Sequence, residues 1–150
     1  MIRNAQHSDI PAILDIGAQV IGASTTLNCE LDRDKAAKVI RQALNHRMHA
    51  VFVAERAGQV VGFFIAVQDQ FWFSKERYAT DLAFCVLPEH ADQAVWLLRR
   101  FLRWAKACSI NHVQLGLSTG MDPMQRTGRL YEAHGLSNVG GIYSTIFNKG

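Results

Sequence analysis

Two segments rich in valine, phenylalanine and isoleucine lie next to each other in the middle of the chain. They cover residues 49–56 and 59–67 and are separated only by Ala57 and Gly58. Such segments favour β-strands, and a two-residue connection that contains glycine joins strands that pair antiparallel. Gly62 within the second segment indicates a β-bulge. The middle of the chain is therefore predicted to form an antiparallel hairpin.

The N-terminal segments predict one strand and two helices. Residues 2–5 form a short strand, and Ser8 is placed to cap a helix that tolerates Pro11 in its first turn. Asp32 is the expected N-cap of a second helix. The polar residues 22–30 predict a loop between them. Two helices therefore follow the first strand before the hairpin begins.

The C-terminal half alternates strands with helices. Residues 80–87 and 112–118 predict strands, while residues 91–107 predict an amphipathic helix. A last helix begins at Asp122 and is stopped by Gly135 in the left-handed conformation, after which residues 138–147 return as a strand. The full order is β-α-α-β-β-β-α-β-α-β. It predicts an α/β fold with a mixed, mostly antiparallel sheet flanked by helices on both faces.

The composition is that of an ordinary globular protein. The 150 residues are 49% hydrophobic and 19% charged, which predicts a single domain over residues 1–150. No apolar run reaches the roughly 18 residues of a membrane span, and the first residues lack a signal peptide, so we expect a cytoplasmic protein without a membrane partner. The net charge of +3 comes with scattered basic residues and gives no case for nucleic acid as a partner.

The cysteines and histidines show no metal-binding pattern. Cys29, Cys85 and Cys108 lie far apart and form no CxxC pair, so we expect reduced, mostly buried thiols. The histidines also lack the spacing of metal ligands. The sequence therefore predicts no metal site.

Four short segments are each unspecific, but their order and spacing together are unlikely to arise by chance. They are residues 2–5 with the following Asp9 and Ile10, residues 53–62, residues 86–89 with the helix after them, and residues 129–136. Together they span nearly the whole chain and resemble the GNAT superfamily of acyl-CoA-dependent N-acyltransferases. The Pro88-Glu89-His90 start and the later Trp104-Ala105 are most similar to small acyltransferase-like proteins found in phages and prophages.

This resemblance implies transfer of an acetyl group from acetyl-CoA to a primary amine of an unidentified small molecule or peptide. Tyr131 falls where the family's general acid protonates the departing CoA thiolate. Asp81 lies near the position of the family's acidic base, and Glu55 is the second choice. The resemblance also implies a role for the predicted strand over residues 80–87. If this strand separates from residues 116–118, the backbone at Phe84, Cys85 and Val86 binds the pantetheine arm and polarises the thioester carbonyl.

The expected pyrophosphate loop departs from the family pattern. The family places Arg/Gln-x-x-Gly-x-Gly/Ala after this strand, because glycines let backbone N–H groups approach the phosphates at a helix N-terminus. The corresponding residues here are Ala91, Asp92, Gln93, Ala94, Val95 and Trp96, of which only Ala94 keeps a permitted small residue. A carboxylate at Asp92 in the first helical turn would repel an anion. Weak CoA binding is therefore expected, with Gln125 in place of a cofactor-holding asparagine and with substitute cations at Arg99, Arg100 and Arg126.

Each of these interpretations has an alternative. Tyr131 can be a core residue, Asp81 a solvated strand end, and the basic residues of the amphipathic helix a solvated face. The aromatic residues at Phe71, Trp72 and Phe73 can line an acceptor pocket or belong to the core or to a dimer contact. The whole protein can be a non-catalytic GNAT-fold module that has lost productive CoA binding. The family also allows a homodimer that pairs through sheet edges or the last strands.

Overall fold

The computed structural model describes residues 1–117 and 124–147, without the side chains of Met124 and Gln125. The strands are β1 (Ile2–Asn4), β2 (Ala50–Arg56), β3 (Gln59–Gln70), β4 (Arg77–Val86) and β5 (His112–Gln114). The helices are α1 (Ile10–Ala23), α2 (Arg33–Asn45), α3 (Ala94–Ala107) and α4 (Met124–Ala133). Short 3₁₀ turns at His7–Asp9 and Pro88–Gln93 precede α1 and α3. None of the helices within these residues is long and apolar enough to cross a membrane.

The strands form one sheet in the order β1-β2-β3-β4-β5. All neighbours are antiparallel except β4 and β5, which confirms the predicted mixed, mostly antiparallel sheet. The predicted hairpin joins β2 and β3, where Ala57 and Gly58 have φ angles of 52° and 76°. Two positive φ angles in a two-residue connection make a type I′ turn. The predicted bulge is also present, because the register leaves Val61 as an extra residue beside Gly62.

Helices cover both faces of the sheet. On one face, α3 and α4 pack on Phe52 and Phe64, and the ring centroids of Phe64 and Phe101 are 4.5 Å apart. On the other face, α1 and α2 pack on Val53 and Phe63. Successive residues of β2 and β3 alternate between the two clusters, as the two-residue period of a strand requires. The central strands are therefore buried on both sides.

The first helix begins differently from the prediction, whereas the second begins as predicted. Ser8 lies inside the 3₁₀ turn and does not cap α1, because the Asp9 carboxylate accepts the hydrogen bond of the Gln6 backbone N–H at 2.7 Å. Arg3 binds both oxygens of Asp9 and so holds the pKa of this carboxyl below its usual value. Asp32 accepts a backbone hydrogen bond at 3.0 Å and caps α2.

The start of one predicted helix and one predicted strand in the C-terminal half are wrong. α3 begins at Ala94 rather than at residue 91, because residues 91–93 still belong to the 3₁₀ turn. Residues 138–147 form no strand, and Val139, Tyr143 and Phe147 are exposed. A strand needs a neighbouring edge, and β5 has only 3 residues instead of the predicted span over 112–118.

The end of α4 agrees with the prediction. Gly135 has a φ angle of 88°, and its N–H donates to the C=O of Glu132 at 3.0 Å. The N–H of Leu136 donates to the C=O of Tyr131 at 3.1 Å. These two bonds form a Schellman motif, which fixes the last turn of α4 and with it Tyr131. Asp122, the predicted start of this helix, lies outside the described residues.

Candidate active site

β4 and β5 separate after a short parallel pairing. The paired residues are Tyr78 with His112, Ala79 with Val113, and Thr80 with Gln114. β5 ends there, whereas β4 continues to Val86 with β3 as its neighbour. A gap therefore opens beside residues 81–86, the stretch for which the sequence predicts a thioester site at Phe84, Cys85 and Val86. Opposite them, Gly116 and Leu117 are described, and Ser118 is not.

Asp81 is the first residue of β4 beyond this pairing, and it bridges the gap. Its Oδ1 accepts a hydrogen bond from the Gly116 N–H at 3.2 Å. The next residue, Leu82, forms a β-bulge, because Ala66 pairs with Asp81 while Ile65 pairs with Ala83. A bulge next to a functional group redirects side chains. Burial raises the pKa of the Asp81 carboxyl, so this group holds a proton more strongly than a solvated aspartate does.

Tyr131 reaches the same residue from α4. It is only 7% exposed, and its hydroxyl donates to the Gly116 C=O at 3.3 Å. Burial raises the pKa of Tyr131, and the charge of Asp81 raises it further. Asp81 and Tyr131 thus contact the N–H and the C=O of a single residue, Gly116.

This pair has the properties of a base and an acid. A carboxyl whose pKa is raised from its usual low value is a better proton acceptor near neutral pH. A raised pKa keeps the Tyr131 phenol protonated at neutral pH, but it also makes this phenol a weaker acid than a solvated tyrosine. The gap therefore brings together the two predicted catalytic side chains, Asp81 and Tyr131.

Cys29 and Cys108 are exposed and Cys85 is half-buried, so the expectation of mostly buried thiols is wrong. Cys85 lies on the same stretch of β4 as Asp81 but lacks the properties of a nucleophile. Burial raises the pKa of its thiol to about 12, and the charge of Asp81 acts in the same direction. The reactive form of cysteine is the thiolate, which such a thiol does not form at neutral pH. Cys85 is therefore not a candidate nucleophile.

Gly62 allows β3 to approach the end of β4 closely. A Cβ at this position would lie 3.0 Å from Cγ2 of Val86 and 3.1 Å from the carbonyl oxygen of Cys85. The N–H of Leu87 also donates to the C=O of Val61 at 2.9 Å. The bulge and the glycine of β3 therefore hold the predicted thioester strand in place.

The predicted phosphate residues lie together in the turn between β4 and α3. Ala91, Asp92 and Gln93 belong to the 3₁₀ turn, and Ala94 is the first residue of α3. Gln93 is 8% exposed, and its amide donates to Oδ2 of Asp92 at 3.0 Å. The Gln93 side chain is therefore engaged within the turn rather than facing a ligand.

Arg56 forms an ion pair with Asp92 that the sequence did not predict. Its Nη1 and Nη2 lie 3.3 and 3.0 Å from the Oδ1 and Oδ2 atoms of Asp92, and Nη1 lies 3.4 Å from Nδ1 of His90. Hydrogen bonds from Gln93 and Arg56 hold the pKa of Asp92 below its usual value. Asp92 therefore lies in the 3₁₀ turn before α3 rather than in the first turn of the helix, and it has a cation beside it. The only sequence signal for Arg56 was its place at the end of a hairpin strand.

The other predicted charged residues lie elsewhere. Arg99 and Arg100 donate to His134 and Asn4, each at 3.2 Å, so both are engaged away from the β4–α3 turn. Glu55, the second candidate base, accepts a hydrogen bond from a β1 arginine at 3.1 Å and does not reach the gap. The side chain of Gln125 lies outside the described residues, and Arg126 is exposed on α4.

The aromatic residues Phe71, Trp72 and Phe73 lie in the connection between β3 and β4. Trp72 is 95% and Phe73 is 68% exposed, so neither belongs to the core. Phe71 packs on Tyr78 with ring centroids 4.7 Å apart, at the end of the sheet where β4 and β5 are paired. The part of the chain with described side chains contains no group of histidine, cysteine and acidic residues that could hold a metal ion.

Comparisons with known proteins bear on the family and the fold of the chain. The model of the GNAT acetyltransferase family matches residues 15–136. No curated protein matches the chain.

Among solved structures, a putative acetyltransferase from Agrobacterium tumefaciens is 19% identical, with a TM-score of 0.73 over 97% of this chain and 99% of its own. A protein from Clostridium acetobutylicum described as a predicted acetyltransferase, solved with acetyl-CoA, is 18% identical, with a TM-score of 0.74 over 97% of this chain and 95% of its own. An aminoglycoside 6′-N-acetyltransferase from Acinetobacter haemolyticus is 15% identical, with a TM-score of 0.71 over 100% and 98%. These similarities show the shared fold. Because the family model covers most of its length, the chain belongs to the GNAT acetyltransferase family.

Proposed function

We propose that this protein is an N-acetyltransferase that transfers the acetyl group of acetyl-CoA to a primary amine. Membership of the family supports acyl transfer in general. The observation that carries the more specific proposal is the convergence of Asp81 and Tyr131 on Gly116, in the gap beside β4. A carboxyl and a phenol at this place supply the two proton transfers that amide formation from a thioester requires.

The proposed reaction is a direct attack. The amine nitrogen forms a bond to the thioester carbon, and Asp81 accepts the amine proton. The carbon–sulfur bond breaks, and Tyr131 gives its hydroxyl proton to the departing sulfur. Backbone N–H groups of β4 beside the gap stabilise the charge on the carbonyl oxygen. The proton on Asp81 returns to Tyr131 through solvent, which restores both groups.

Arg56 is the proposed cation for the CoA phosphates. It lies at the turn where the family binds pyrophosphate, and its side chain is 48% exposed while that of its partner Asp92 is 56% exposed. Exposed ion pairs of this kind contribute little to stability, so the guanidinium can exchange a carboxylate for a phosphate at small cost. A side chain with several N–H donors thus replaces the backbone N–H groups that the absent glycines would have freed.

Release of free thiol from acetyl-CoA in the presence of amines tests the proposal. The amines are an aminoglycoside, because one structural relative is named an aminoglycoside acetyltransferase, and a short peptide with a free amino terminus. We expect amine-dependent release that falls by about a hundredfold or more in Asp81→Asn and Tyr131→Phe. Asp69→Asn and Tyr78→Phe are the matched controls, because these residues lie on β3 and β4 outside the gap. We expect both control variants to keep the amine-dependent thiol release of the wild type. Equal rates in all four variants would contradict the assigned roles.

A second candidate is a non-catalytic protein that uses the fold for binding alone. The altered phosphate turn favours it, because Gln93 and Asp92 bond to each other where the family has a glycine-rich loop. Calorimetry with CoA separates the two candidates. Binding of CoA without amine-dependent thiol release from acetyl-CoA, for every amine tested, would support the binding protein.

A further inference from the structure

A groove of about 640 Å³ lies at the opposite edge of the sheet from the proposed active site. It exists because β1 is short and pairs only with Phe52, Val53 and Ala54. The start of β2 pairs with β3 but has no strand on its β1 side, where its described backbone contact is one hydrogen bond from the Ala5 N–H to the Val51 C=O at 2.8 Å. The ends of α2 and α3 form the walls on the two faces of the sheet. β3 and β4 stand between this groove and the gap at β5.

The charged side chains that line the groove are positive. Arg100 and Arg103 enter it from α3, and among the described residues that line it none is acidic. Arg100 is held in place, because it donates to Oδ1 of Asn4 at 3.2 Å and its guanidinium lies 5.2 Å from the ring centroid of Phe52. One N–H is used by Asn4, so other donors of the guanidinium remain available.

Arg103 lies one turn after Arg100 and therefore on the same side of α3. It is exposed and makes no hydrogen bond or ion pair with any residue that the structure describes. The neighbouring Arg99 diverges toward His134 and lies over the Trp96 ring, so the basic residues of α3 do not form one continuous surface. This divergence argues for a small anion at Arg100 and Arg103 rather than for a long polyanion.

The remaining lining of the groove is mostly apolar. Leu44 of α2 and Trp104 and Ala107 of α3 face it, together with the start of β2. A free inorganic anion would leave this surface uncovered, whereas an anion attached to a hydrocarbon or aromatic body would cover it. Burial lowers the pKa of His49, which also lines the groove, so its ring is an uncharged hydrogen-bonding group at neutral pH.

We propose that this groove is a second binding site, for a small organic oxyanion in which a carboxylate or phosphate is attached to an apolar body. Arg100 and Arg103 bind the charged end, and the apolar walls beside Trp104 bind the rest. The site is separate from the acyl-transfer gap, and its ligand does not react there.

Calorimetric titration with phenylacetate and phenyl phosphate tests the proposal, with benzyl alcohol as the uncharged probe and inorganic phosphate as the anion without a body. We expect at least one of the two organic anions to bind, and the one that binds identifies carboxylate or phosphate as the charged end. We also expect benzyl alcohol and inorganic phosphate to bind at least about tenfold more weakly, because benzyl alcohol lacks the negative charge and inorganic phosphate lacks the apolar body.

Arg103→Gln is the decisive variant, because Arg103 is exposed and without a described partner, so the fold should not depend on it. We expect at least about a tenfold loss of affinity in Arg103→Gln and a larger loss when Arg100→Gln is added. Arg41→Gln, an exposed arginine of α2 outside the groove, is the matched control and keeps the affinity. Absence of binding by both organic anions, or unchanged affinity in Arg103→Gln, would overturn the proposal. Loss of binding in Tyr131→Phe would also overturn it, because it would place the probe in the gap.

Discussion

Replacement of Tyr131 by phenylalanine separates a catalytic phenol from a residue that only fills the core. The ring is buried in the cluster beneath α3, and phenylalanine keeps those apolar contacts. Within the described residues, the contact that is lost is the 3.3 Å hydrogen bond to the Gly116 C=O. The two roles of Tyr131 therefore predict effects of very different size.

The structural cost is small. A hydrogen bond contributes about 0.5–1.5 kcal/mol to stability, and this one is longer than the usual hydroxyl bond, so we expect a loss of about 0.5 kcal/mol in the free energy of unfolding. For a chain of this size, that loss lowers Tm by about 1–2 °C. Loss of a general acid slows turnover by about 10²- to 10⁴-fold, or about 2.7–5.4 kcal/mol in activation free energy. The catalytic effect exceeds the structural one at every point of these ranges.

Thermal unfolding and amine-dependent thiol release are measured on the same preparations of wild type, Tyr131→Phe and Tyr78→Phe. Tyr78 is the matched control, because it lies on β4 where this strand is still paired with β5. We expect a large loss of kcat only in Tyr131→Phe, with the KM for acetyl-CoA nearly unchanged. A kcat close to that of wild type, together with the small fall in Tm, would refute the acid role.

Four further predictions follow from the same geometry. Burial raises the pKa of Asp81, so the native state binds the carboxyl proton of Asp81 more tightly than the unfolded chain does. The stability that this proton contributes is complete below the unfolded pKa of about 3.9, and it is lost as pH rises through the native pKa. Asp81→Asn should therefore show a weaker decline in unfolding free energy over this window in denaturant titrations at several pH values, and an equal decline would contradict the burial argument. Gly62→Ala should lower the free energy of unfolding by about 1–3 kcal/mol and raise the KM for acetyl-CoA, because the new Cβ lies 3.0 Å from a side-chain atom at the end of β4. An unchanged KM would show that Gly62 does not position the proposed site. Asp92→Asn should increase the affinity for CoA in calorimetry at low salt, because it frees the Arg56 guanidinium, and this gain should be lost at high salt. No gain at low salt would contradict the proposed role of Arg56 in phosphate binding. Ala57→Gly should raise the free energy of unfolding by up to about 1 kcal/mol, because it relieves a positive φ of 52°, and a loss of stability would show that unfolded-state entropy dominates.

Elements set by local chemistry were predictable from the sequence. The hairpin follows from a two-residue connection with glycine, α2 begins at its Asp32 cap, and α4 ends at Gly135, because each signal acts within a few residues. The start of α1 was missed because Ser8 lies inside the 3₁₀ turn, where Arg3 and the Gln6 N–H hold the carboxylate of Asp9.

Features that depend on contacts between distant segments were not predictable. Arg56 and Asp92 are 36 residues apart, and only the folded sheet brings the hairpin turn next to the β4–α3 turn. The last segment has the apolar residues of a strand at Ile142 and Phe147, but strand formation also needs a free edge of sufficient length. Asp81 and Tyr131 were each predicted from the family resemblance, whereas their shared contact with Gly116 is visible only in three dimensions.

The two-residue turn between β2 and β3 constrains how this protein can vary during evolution. A longer or shorter connection would slip the register of the hairpin, and a slip of one residue turns every side chain to the opposite face. Arg56 is the last residue of β2, so such a slip would carry its guanidinium away from Asp92 and leave that carboxylate without a cation. Selection on the proposed phosphate site would therefore extend to Ala57 and Gly58, although neither is a candidate ligand. Insertions should be rarer in this turn than in the exposed connection after β3.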